Sequence, residues 1–111
     1  MLLSAYGFNV IGTAKNGHEG VEMYKKFPVK PDIIIMDHRM PIKNGIEASK
    51  EILQINKNAK IIFASADTTV KEIANSIGVV SFITKPFDNQ KLLRNIKKAL
   101  EKEDHRIIKH N

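Results

Sequence analysis

An α/β domain built on a parallel sheet is the fold class that this chain predicts, and two observations predict it. Short apolar runs alternate with segments whose apolar residues recur at helical spacing, giving strand then helix four times over. The run Ile33-Ile34-Ile35-Met36, set between Pro31 and Pro41, is apolar at every position instead of every second one. That is the pattern of a strand buried on both faces of a parallel sheet.

The strand segments are Asn9 to Ala14, Asp32 to Met36, Lys60 to Ala64 and Val79 to Thr84. Between and after them, four helical stripes are expected to face the core: Val21, Tyr24 and Phe27; Ile46, Ile52 and Leu53; Val70, Ile73, Ala74 and Ile77; and Leu92, Leu93, Ile96, Ala99 and Leu100. Asp67 or Thr68 reads as the start of the third helix, Gly78 as its stop and Asp88 as the cap of the last. His105 to Asn111 carries no periodic signal, so the domain is expected over 1–104 with a tail over 105–111.

At 111 residues and 42% hydrophobic content, the chain has room for one domain with a modest core. It has no cysteine, so disulfide frameworks and thiolate chemistry are excluded. The N-terminus shows neither a basic segment nor a long apolar run, which predicts no signal peptide, no membrane span and a cytoplasmic protein. The net charge of +6 comes from lysines and arginines scattered among acids, and two Tyr and five Phe without Trp form no stacking platform. Nucleic-acid binding is therefore not expected. His18, His38, His105 and His110 lack paired ligand spacing and read as isolated surface residues, which speaks against metal hydrolase chemistry.

Three strands finish beside polar residues of different kinds: Asp37 after the second, Ser65 after the third and Lys85 after the fourth. In a parallel sheet these ends share one edge, outside which ligands gather. A carboxylate attacks a phosphoryl group to form an aspartyl phosphate, while an ammonium and a hydroxyl bind the oxygens that gain charge. Lys85 precedes Pro86, and an X-Pro bond tolerates the cis form, which turns the chain sharply. Any one of these residues alone has a plainer reading as a turn or cap.

Together, Asp37-His38-Arg39-Met40-Pro41 with Asn44-Gly45, then Ser65-Ala66, then Phe82-Ile83-Thr84-Lys85-Pro86-Phe87 resemble the receiver domain of two-component response regulators, over about Tyr6 to Leu100. The resemblance implies a flavodoxin-like, doubly wound sheet. It also implies that Asp37 is the phosphoacceptor, Lys85 the phosphate-binding lysine, Ser65 the switch hydroxyl and Phe82 the switch aromatic; on composition alone Phe82 is a core or edge aromatic. The expected partners are a histidine kinase or phosphotransfer protein and an output protein reached by contact, with no enzymatic activity of the chain itself.

Receivers of this family open with a strand ending in an acidic pair that binds Mg²⁺ together with the phosphoacceptor and a backbone carbonyl. Met1 to Gly7 instead resembles the end of the family's first helix, so the sheet is expected to lack the first strand and most of that helix. Asp37 with the carbonyl of Arg39 supplies only part of a Mg²⁺ shell, which predicts weak or absent Mg²⁺ binding. In the family's order 2-1-3-4-5 the missing strand would lie between Asn9 to Ala14 and Asp32 to Met36. Either the two flanking strands pair directly, or the missing element is dispensable, or chains associate through the exposed edges; of these a homo-oligomer is the favoured expectation. The alternative function is a truncated or degenerate receiver, an interaction and assembly module that is never phosphorylated; the acidic pair is the feature separating the two.

Overall fold

The computed structural model describes residues 9–38 and 43–110, with side chains in the last helix described as far as Glu101. The apolar runs form three parallel strands, β1 (Ile34–Asp37), β2 (Ile61–Ser65) and β3 (Ser81–Thr84), in the order β1-β2-β3. Every residue of β2 is buried, as a central strand covered on both faces requires. The register aligns Met36 with Phe63 and Phe63 with Phe82. Side chains alternate across a strand, so these three lie on one face, while Ile62 and Ile83 lie on the other.

Helices α1 (Gly17–Lys26), α2 (Gly45–Ile55) and α3 (Lys71–Ile77) cover the Met36–Phe63 face. Val21, Tyr24, Ala48, Ile52 and Ala74 pack there against Ile61 and Phe63. On the opposite face α4 (Asn89–His110) lays Leu92 and Ile96 over Ile62 and Ile83. The largest fully buried side chains, Phe63, Ile52, Ile61, Ile62 and Ile83, belong to β2, β3 and α2, so the sheet centre is also the centre of the core.

Polar caps set the helix starts. Asn16 Oδ1 accepts from the Glu19 backbone N–H at 2.8 Å, and Asp88 Oδ1 accepts from Lys91 N–H at 2.8 Å. Asp67 caps a single 3₁₀ turn (Thr68–Val70) that leads into α3. Gly78 ends α3 at φ 108°, a left-handed conformation that suits glycine. At α2 the cap is reciprocal: Asn44 Oδ1 accepts from Glu47 N–H at 2.9 Å and Glu47 Oε1 accepts from Asn44 N–H at 3.3 Å. Asn44→Ala is expected to destabilise the domain by about 1 kcal/mol. A lower urea midpoint at an unchanged slope is the result that checks it.

Some expectations need correction. Asn9 to Ala14 is not a strand, and Val10 and Ile11 are 53% and 48% exposed. A strand exists only with a ladder partner, and the described residues hold no strand beside this segment. Ile73 and Leu100 lie outside the core. In α4 the buried seam is Leu92, Ile96 and Ala99, spaced four and three, and Leu100 falls about 70° to the side of its centre. The backbone stays helical to His110, so most of the expected tail continues α4; the sequence from Glu101 to His110 contains no Gly or Pro to stop it. The reading of Met1 to Gly7 as a helix end lies outside the described residues. Among the described residues no helix is long and apolar enough to cross a membrane.

Candidate functional site

The carboxyl ends of the three strands form one edge. Asp37 is the last residue of β1, Ser65 the last of β2, and Lys85 follows Thr84, the last of β3. Ser65 is in register with Thr84, and its carbonyl accepts from Lys85 N–H at 3.0 Å, which extends the ladder one residue past β3. From there the Lys85 side chain crosses β2, and its Nζ donates to Asp37 Oδ2 at 2.6 Å. The Lys85–Pro86 peptide bond is cis. Two residues 48 apart in sequence thus meet at the edge where the sequence places them.

The magnitude of this ion pair bears on its purpose. Its side chains are 38% (Lys85) and 45% (Asp37) exposed. A pair so open to water contributes at most about 1 kcal/mol to stability. The pair is therefore a small term in folding.

Ser65 is 2% exposed, and its Oγ accepts from Asp67 N–H at 3.0 Å, which holds the hydroxyl at the corner where β2 becomes a turn. Phe82 is half-buried and stacks on Phe63 with ring centroids 5.8 Å apart and planes 17° apart. Ala66, Lys85, Pro86, Phe87 and Asn89 line a shallow, open depression on the Lys85 side of the edge. The α2 N-terminus closes the other side: Gly45 N–H donates to His38 O at 3.1 Å. A Cβ on Gly45 would lie 2.4 Å from Asp37 O and 2.8 Å from His38 Cα, so only glycine lets α2 approach this closely.

His38 is not the isolated surface residue that its spacing suggests. It is half-buried, its ring centroid lies 5.9 Å from that of Phe63, and its buried Nδ1 has no hydrogen-bond partner among the described residues. Its position two residues after Met36, on the face that carries Phe63, is the signal that could have placed it, since side chains on one strand face recur every second residue.

Arg39, whose carbonyl the family resemblance turns toward a cation, lies outside the described residues. Among the described residues no group of three or more His, Cys, Asp or Glu side chains converges. Mg²⁺ needs a near-octahedral shell of oxygen ligands, and Asp37, already paired with an ammonium, supplies one carboxylate to it. The described donor set does not fit a resident Mg²⁺.

The profile of the response regulator receiver domain matches residues 1–97. The chain belongs to that family. Phosphoryl acceptance is the general function of its receivers. The chain is 42% identical over 100 residues to the chemotaxis protein CheY of Thermotoga maritima, an alignment covering 88% of this chain and 82% of that protein. It is 40% identical over 91 residues to a protein-glutamate methylesterase/protein-glutamine glutaminase of Hahella chejuensis, covering 79% of this chain and 23% of that one. Nothing in this second likeness makes the receiver itself an enzyme. Among solved structures, the CheX-CheY-BeF3-Mg complex of Borrelia burgdorferi superposes with a TM-score of 0.83 at 33% identity, over 87% of this chain and 74% of that one.

Proposed function

We propose that this receiver accepts a phosphoryl group on Asp37 from a phosphohistidine of a histidine kinase or phosphotransfer protein, in a cytoplasmic setting, and signals by protein contact. The observation that carries the reading is the Lys85 Nζ to Asp37 Oδ2 bond of 2.6 Å. An oxygen of the Asp37 carboxylate attacks phosphorus as the bond from phosphorus to the donor's imidazole nitrogen breaks. The electron pair of that bond stays on the imidazole, and the product is an acyl phosphate. Lys85 balances the negative charge that accumulates on the transferred oxygens, and the Ser65 hydroxyl at the neighbouring strand end gives up its bond from Asp67 N–H to turn toward them. Phe82 is the proposed reporter of that change on the α3–β3 side, where output proteins would dock. A related CheY forms a solved complex with a second protein, CheX, which supports protein contact as a property of such receivers. Label from acetyl [³²P]phosphate should enter the wild-type chain and be lost in Asp37→Asn. Equal labelling of the two chains would remove Asp37 from its role.

A second reading, an interaction module that is never phosphorylated, is favoured by the incomplete donor set for Mg²⁺ among the described residues. It predicts no label on any residue in the presence of Mg²⁺. Either reading is compatible with self-association. Ile34 N–H donates to Lys60 O on the β2 side. Strand alternation therefore turns the backbone groups of Ile33 and Ile35 to the opposite edge, where no described strand pairs with β1. Light scattering after size exclusion is expected to show a mass above that of one chain, rising with concentration. A constant monomer mass over the same range would contradict it.

A further inference from the structure

We infer that His38 is a positioning residue that couples the state of the Asp37 carboxylate to the Phe82 ring through Phe63. The inference rests on reading Asp37 as the phosphoacceptor and adds a route that does not pass through Ser65.

The geometry is a column of three rings on one face of the sheet. His38 lies one residue past β1, and its ring packs on Phe63, on the face that carries Met36, Phe63 and Phe82. Its ring meets Phe63 at 5.9 Å with planes tilted by 42°, and Phe63 stacks on Phe82 at 5.8 Å. Phe63 is 0% exposed and sits within the larger of the two core clusters. A displacement of the His38 ring in so closely packed a core must be met by the neighbouring rings.

At its backbone, His38 is bonded to the peptide unit of Asp37 and held by Gly45 N–H at 3.1 Å. A shift of the Asp37 backbone thus moves the base of the column. The imidazole itself is held by packing: among the described residues its buried Nδ1 has no hydrogen-bond partner. His38 lies past the end of β1, and its ring packs on Phe63 while the Asp37 carboxylate pairs with Lys85. The coupling therefore runs through the backbone and the rings, without contact between imidazole and phosphoryl group.

The test uses the full chain and needs no phosphorylation. Asp37→Asn removes the charge opposite Lys85, and the resulting change in the Phe82 ring resonances is read by NMR in three backgrounds. In wild type a shift is expected; in His38→Leu it should fall by at least half; in Ser65→Ala it should persist. His38→Phe, which keeps a ring on Phe63 and has no nitrogen, should restore it. A full-sized Phe82 shift in His38→Leu, or loss of the shift in a folded His38→Phe chain, overturns the proposal. If His38→Leu fails to fold, the His38→Phe result decides alone. Failure of Asp37 to take label from acetyl phosphate would count against the phosphoacceptor reading and leave this result as it stands.

Discussion

Lys85→Met is expected to slow phosphoryl transfer onto Asp37 by roughly 100- to 1,000-fold, the effect of removing one preorganised charge donor from a site of charge development. Methionine keeps much of the length and the apolar stem and removes the ammonium. Because the Lys85–Asp37 pair is more than one-third exposed on both sides, its loss changes stability by no more than about 1 kcal/mol. The two measurements therefore separate. Initial rates of labelling by acetyl phosphate should collapse while the thermal unfolding curve stays nearly in place. Equal rates in the two chains would mean that Lys85 serves only as a surface partner for Asp37.

The second large effect is expected from Gly45→Ala. The added methyl would sit 2.4 Å from Asp37 O, 2.8 Å from His38 Cα and 2.9 Å from Asp37 C, all of them backbone atoms that cannot swing aside as the end of a side chain can. Either the α2 N-terminus retreats or the end of β1 shifts. Overpacking of this kind costs about 1–3 kcal/mol. For a domain of this size each kcal/mol lowers the melting temperature by roughly 4–8 °C. Two of these three atoms belong to Asp37, so labelling should fall as well, although no group that touches phosphate has been altered. A melting temperature within a degree of wild type would show that α2 has slack where the structure gives it none.

How far the sequence could be read depends on whether a feature is local. Ile33 to Met36 announced a strand, although Met36 is the one buried residue of β1, and Asp37, Ser65 and Lys85 announced a shared edge, because strand ends and polar residues are adjacent in sequence. Gly78 and Asp88 were legible as a stop and a cap for the same reason. Asn9 to Ala14 has the composition of a strand, yet a strand is a property of two segments, and its neighbour is not among the described residues. In α4 the apolar period ends at Leu100 while the helical backbone runs on to His110, since helices continue on propensity where no breaker intervenes. His38 looked like a surface histidine because its burial comes from Phe63, far along the chain, and from an α2 N-terminus that reaches it only through the absent side chain of Gly45.

The central claim is that Asp37 takes the phosphoryl group, and peptide mapping after exposure to acetyl phosphate and Mg²⁺ tests it most directly. An acyl phosphate is cleaved by hydroxylamine and reduced by borohydride, which marks the modified carboxyl permanently. The account predicts a single hydroxylamine-sensitive phosphate, with the borohydride mark confined to residue 37 and absent from Asp37→Asn. A mark on Asp32, Asp67 or Asp88, or a chain that stays unmodified throughout, would contradict it.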